Sequence, residues 1–327
     1  RRPPRSTPSN SSAASDVYKR QIETRPKRLW DKGIASYQIS SSLGSALGLV
    51  IGSFVKQFYP FRETYIFLSL FGFISFIIAL IFMKEPKITL ERLYITTRVS
   101  GISLGEIMRM MWSGLVNLPK VSGIIRLIKE LRYSLIRGFP LFLIGCLSLF
   151  LGIAIFFTPL PALFKDMGLD DSTILALNAL PYIVAVSFYN KFAEKSAKSG
   201  LDLLIKAVFS RVFIFPSAPL LFLAVKALKL SWVITVFVLC VFYFLIGMTW
   251  SAINITTNAL VARLSAETHR GSGYGYFNAI IGIAFIIGSY VGGWIARGMG
   301  YLASTLTSVT FLLASVMIFR ELIEEAY

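Results

Sequence analysis

The sequence predicts an all-α, polytopic membrane bundle of about eight transmembrane helices. Three observations carry this. The chain of 327 residues is 55% hydrophobic and only 15% charged, with 27 Phe and a mean hydropathy of +0.67. Its apolar runs repeatedly reach the ~20 residues that a helix needs to cross a bilayer. Its positive charge sits in the connections between those runs, alternating in density from one connection to the next.

The first 21 residues are of another kind. Arg1–Gln21 is rich in Ser, Arg and Pro and holds no apolar run of the ~7–15 residues that a secretory signal requires. Its composition permits a disordered tail. However, "DVYKRQ" reads back, with one choice of codons, as GATGTGTATAAGAGACAG, which resembles the transposon end used to prepare sequencing libraries. The head is therefore expected to be non-native, with the folded chain beginning near Ile22.

Eight spans follow: Ser36–Phe58, Thr64–Met83, Phe139–Phe164, Ser172–Asn190, Leu203–Val225, Trp232–Ala262, Ser272–Ala296 and Tyr301–Phe319. Each is a predominantly apolar run bounded by charge, Gly or Pro. Between the second and third lies the polar stretch Lys84–Arg137. Within it, "LGEIMRMMWSGLVNLPKVSGIIRLIKELRYSLIR" mixes Met, Ile, Leu and Trp with Arg and Lys at helical spacing. It reads either as amphipathic helices on an anionic leaflet or as a solvated connector.

Charge placement orients the spans. The segments Ile22–Gly33, Lys84–Arg137, Lys191–Asp202, Arg263–Gly271 and Arg320–Tyr327 hold 20 Lys or Arg; the opposite connections hold 6. The positive-inside rule puts the first set, and so both termini, in the cytoplasm of a cell-membrane protein. The formal charge of +16 falls to +12 without the head, and what remains is loop charge rather than a nucleic-acid stripe, so no nucleic-acid partner is expected. Cys146 and Cys240 lie in apolar runs with no neighbour at a metal-ligand spacing; neither a metal nor a cofactor is expected.

Two stretches echo one another. "KGIASYQISSSLGSALGLVIGS" from Lys32 and "RGSGYGYFNAIIGIAFIIGSYVGG" from Arg270 both run from a basic residue and Gly into a Gly-rich apolar helix. Lys32-Gly33 and Gly44 align with Arg270-Gly271 and Gly282, while Gly48 and Gly52 align with Gly288 and Gly292 two residues further on. Spans one and two thus correspond to spans seven and eight. A first half with six helices would need four more, or roughly 100 further residues, upstream.

On these residues the chain resembles the major facilitator superfamily, built as two six-helix halves joined by a cytoplasmic loop. The resemblance runs from Ile22 to the end and corresponds to helices five to twelve. It implies four segments: a head at 1–21, the last two helices of one half at 22–83, a linker at 84–137, and a complete C-terminal six-helix half at 138–327. The family's cytoplasmic motif Gly-x-x-x-Asp-Arg-x-Gly-Arg/Lys is matched in charge by Glu194, Lys195 and Lys198, with Asn190 and Ala197 in the glycine positions. The exporter motif Gly-x-x-x-Gly-Pro-x-x-Gly-Gly is matched by Gly44, Gly48 and Gly52, with Leu49 for Pro and Ser53 for the last Gly. Glycines four apart lie on one helix face, so a generic packing seam is the other reading of that pattern.

No Asp or Glu falls within a span, and the single His269 stands at an edge. A membrane enzyme is therefore not expected, since no acid–base cluster gathers at one depth. A coupling proton or ion, if used, would act through helices beyond those read here. Arg211 is the one charge well inside a span, ~12 Å past Leu203. It can bind an anion, pair structurally, or snorkel to headgroups.

Polar side chains form helix faces: Trp250, Asn254 and Asn258; Asn178 and Tyr182; Tyr274 and Asn278. Amides in hydrocarbon need partners, so they face the bundle interior, as plain interhelical hydrogen bonds or as a cavity wall. The resemblance implies that these helices border the family's central cavity. The expected substrate site is Asn178, Tyr182, Trp250, Asn254, Asn258 and Asn278. The expected function is secondary transport of a small organic solute by a monomer in the lipid bilayer, as a permease or efflux protein. A non-transporting scaffold or receptor is the alternative.

Overall fold

The structure is a computed structural model and describes residues 30–82, 138–265 and 270–326. The head Arg1–Gln21 and the amphipathic stretch within 84–137 lie outside the described residues. The described chain is helical throughout: α1 Trp30–Phe58, α2 Phe61–Phe82, α3 Phe139–Phe157, α4 Leu160–Asp166, α5 Asp171–Leu228, α6 Trp232–Leu264 and α7 Arg270–Ala326. The described residues of the eight expected spans fall on helix, except that the third is broken by a turn at Thr158–Pro159 into α3 and α4. The expected loop at 191–202 does not: it stays helical except at Ser199, because Lys, Ala and Glu there are good helix formers.

Length alone shows that α5 and α7 cannot be single crossings. At 1.5 Å per residue, α5 with its 58 residues would run ~87 Å, about three times a hydrocarbon core. Each is two helices joined at a break, Ser199 (φ −149°, ψ 61°) in α5 and Gly300 (φ 87°, ψ 169°) in α7. The Gly300 conformation is one that only glycine adopts without strain. The chain reverses at both. Ser304 Oγ donates to the carbonyl of Gly292, twelve residues back and out of reach along a straight helix. Residues 247–249 of α6 touch both Pro181 and Arg211, which would stand ~45 Å apart on an unbroken α5.

Chain contacts divide the protein into two units, residues 1–64 with 135–327, and residues 65–134. Of the second, residues 65–82 are described. They form a helix that is apolar all round, with Ile66, Leu70, Phe73 and Ile78 exposed, as suits hydrocarbon surroundings. Phe67 and Phe71 pack edge to face at 5.5 Å.

In the first unit, α3 is largely buried. It runs antiparallel to the 301–326 arm of α7 along a seam of small residues. Ser304, Ser308 and Ser315 donate to the carbonyls of Ile155, Gly152 and Gly145, and Ser148 returns a bond to Phe311. Its other side meets the 270–299 arm, where Gly288 and Gly292 approach the backbone at Leu151 and Ile155. Close backbones and serine hydroxyls supply the attraction that the hydrophobic effect cannot supply in lipid. The 171–198 arm of α5 runs parallel to α6, with Gly247 against Pro181. It runs antiparallel to α1, through Ser42–Tyr189 at one end and Ser53–Ser172 at the other. Outward faces carry large apolar side chains, among them Phe213, Phe237, Ile286 and Trp294. So much exposed apolar surface marks a membrane-embedded helical bundle.

Candidate functional site

Trp250, Asn254 and Asn258 lie on one face of α6, as their spacing requires. That face borders a cavity of about 320 Å³. Tyr274, Phe277 and Asn278 of α7 line the opposite wall. Phe150 of α3 and Tyr37, Gln38 and Ser41 of α1 complete the lining with Ile281 and Phe285. The volume is at the small end of the range for organic ligands, and the lining mixes aromatic faces with a few amides, as such sites do.

Hydrogen bonds within α6 and to its neighbours surround these amides. Asn258 Nδ2 donates to the carbonyl of Asn254 at 2.8 Å, and Tyr274 Oη donates to the carbonyl of Asn258 at 2.8 Å. Asn254 Nδ2 donates to Tyr189 Oη at 3.5 Å, and Tyr189, fully buried, shares a 2.9 Å bond with Ser42 Oγ. A polar chain thus runs from α1 through α5 to the cavity wall. Sequence reasoning missed Tyr189, although it stands seven residues after Tyr182 on the same helix face. It also missed the α1 wall, because Tyr37, Gln38 and Ser41 look like ordinary helix-end polarity.

Of the expected site residues, Trp250, Asn254, Asn258 and Asn278 are brought together. Asn178 and Tyr182 are not among the lining. Asn178 Nδ2 donates to the carbonyl of Ile174 at 2.9 Å, and its Oδ1 accepts from Tyr243 Oη at 2.8 Å, so both ends of the amide are engaged between helices. Tyr182 is half-buried on the same arm.

Glu194, Lys195 and Lys198 are exposed, and among the described residues none of them forms an ion pair. The tie at this level is Arg263, whose Nη1 donates to the carbonyl of Ser196 at 3.1 Å. In the glycine motif Gly52 is buried, but Gly44 and Gly48 are exposed, and a Cβ at either would meet nothing within 4 Å.

Arg211 does not snorkel. It is 0% exposed, with Nε donating to Thr249 Oγ1 at 3.2 Å. Its guanidinium carbon lies 5.3 Å from the Trp250 ring and 5.6 Å from Phe215, which stacks on Phe156 at 3.9 Å. A charge only about 12 Å into its span could have reached the headgroups. The aromatic faces of Trp250 and Phe215 instead hold it inward by cation–π attraction. At the far end of the bundle, Asp171 pairs with Lys165 at 3.0 Å and Lys56 at 3.7 Å. Among the described residues no His, Cys, Asp or Glu cluster could hold a metal ion.

Comparison with known proteins matches residues 22–224 to the Major Facilitator Superfamily. Curated relatives include the quinolone resistance protein NorA from Staphylococcus aureus strains COL and MW2. Each is 28% identical over 178 residues, covering 52% of this chain and 42% of the relative. The chain thus matches less than half the length of those relatives.

Proposed function

This chain belongs to the Major Facilitator Superfamily, and from that membership we propose that it serves secondary active transport of a small organic solute, of the efflux type, by alternating access. The observation that carries this is the cavity itself, an amide and aromatic chamber walled by α1, α3, α6 and α7. Aromatic faces beside amides suit a neutral or amphipathic organic solute better than an inorganic ion. The relatives are named for quinolone resistance, which export of an aromatic solute would explain.

Residues 22–83 are then the last two helices of one half, 84–137 the linker, and 138–327 the six-helix second half. The 20-to-6 distribution of loop Lys and Arg supports cytoplasmic termini in the cell membrane. The Ser42–Tyr189 and Ser53–Ser172 contacts would be the sliding surface between the halves during alternating access. We take the transporter to act as a monomer, driven by a proton or another ion.

The test is transport by the complete gene product in proteoliposomes. An imposed pH or sodium gradient should drive accumulation of an aromatic solute such as a quinolone. No flux above protein-free liposomes under any gradient, for every solute tried, would favour the scaffold reading.

A further inference from the structure

We propose that Arg211, with Thr249 and Trp250, forms an anion subsite of this cavity that takes the carboxylate of an aromatic solute. A guanidinium carries five N–H donors. Here Nε alone is used; Nη1 and Nη2 are buried with no hydrogen-bond partner among the described residues. Leaving such donors empty in a low-dielectric interior is among the costliest arrangements a protein can hold, and buried charges are normally paired. Cation–π contact with Trp250 and Phe215 offsets part of that cost but accepts no N–H bond.

No carboxylate in this sequence can easily supply the partner from within the spans. All Asp and Glu lie in the connections or at helix ends, and no described carboxylate bonds the Nη atoms. A carboxylate brought in by a solute would match the two-pronged geometry of Nη1 and Nη2. The route is marked by Trp250. Its ring covers the guanidinium, and the same residue lines the cavity; a change of its rotamer would open the cavity onto Arg211. The solute's ring would then rest among Phe150, Phe277 and Tyr274, with its acid group beneath Trp250.

The inference rests on reading the cavity as a solute site, and the test separates the two. Equilibrium binding of radiolabelled naphthoate and of uncharged naphthamide is measured on the complete gene product in lipid nanodiscs. Wild type should hold naphthoate ~10-fold or more tighter than naphthamide, the scale of charge-assisted bonds. Arg211→Met should abolish that preference by weakening naphthoate alone, and Arg211→Lys should restore part of it. Asn254→Ala should weaken both compounds alike. Equal binding of the two by wild type overturns the anion subsite without any variant, as does an unchanged preference in Arg211→Met. If Asn254→Ala still weakens both in those cases, the cavity stands and only the anion subsite falls.

Discussion

Asn254 is bonded on one side to the buried Tyr189 and faces the cavity on the other. Asn254→Ala should therefore raise the apparent Kd or KM for solute several-fold in the complete gene product, with membrane expression unchanged. Leu239, on the same helix, is fully buried and does not line this cavity. Leu239→Ala should act through packing, lowering stability by about 2–5 kcal/mol with little change in solute affinity. Thermal unfolding in detergent and solute titration, run on both variants, separate the two. Identical solute curves for Asn254→Ala and wild type would remove the site from α6. Tyr243→Phe deletes the bond to Asn178 and should cost only about 0.6 kcal/mol, the usual worth of an interhelical hydrogen bond in a membrane.

Among the elements, the glycine seams sort by what a methyl group would strike. At Gly292 an added Cβ falls on the backbone of Ile155, which has no rotamer to yield; at Gly48 it meets nothing. Gly292→Ala should lower the melting temperature and the yield of folded protein, while Gly48→Ala should change neither. A tolerated Gly292→Ala would show that α3 and α7 separate more readily than their serine bonds imply. The start of α5 gives a pH-dependent case. The Thr173 hydroxyl, with the backbone N–H of Thr173, holds the Asp170 carboxylate below its usual range. A depressed pKa means that the cap stabilises fully above the unfolded value, near 3.9, and fades as the pH falls through the folded one. Asp170→Ala should therefore cost about 1 kcal/mol at pH 7. The gap from wild type should narrow only below about pH 4, as melting curves across that range would show.

For the whole molecule, the charge asymmetry makes a topological prediction. A green fluorescent protein fused after Tyr327 should fluoresce when expressed in a bacterial inner membrane, and alkaline phosphatase fused there should be inactive. The opposite pair of results would reverse the orientation proposed here. What the amino-acid sequence determined unaided was the all-helical character of the described chain and where its apolar spans lie. A bilayer demands about 20 apolar residues per crossing, and that demand is written continuously along the chain. It also placed Trp250, Asn254 and Asn258 on one face, because helical spacing is local. What only the tertiary structure decided was the choice of partners. Asn178 turned to Tyr243, 65 residues away, and Gly288 and Gly292, rather than Gly44 and Gly48, met a neighbouring backbone. Arg211 went inward beneath Trp250, 39 positions further along the chain. A polar or small residue in hydrocarbon must find a complement, but which one it finds depends on helices brought beside it by folding. No periodicity within a single span records that choice.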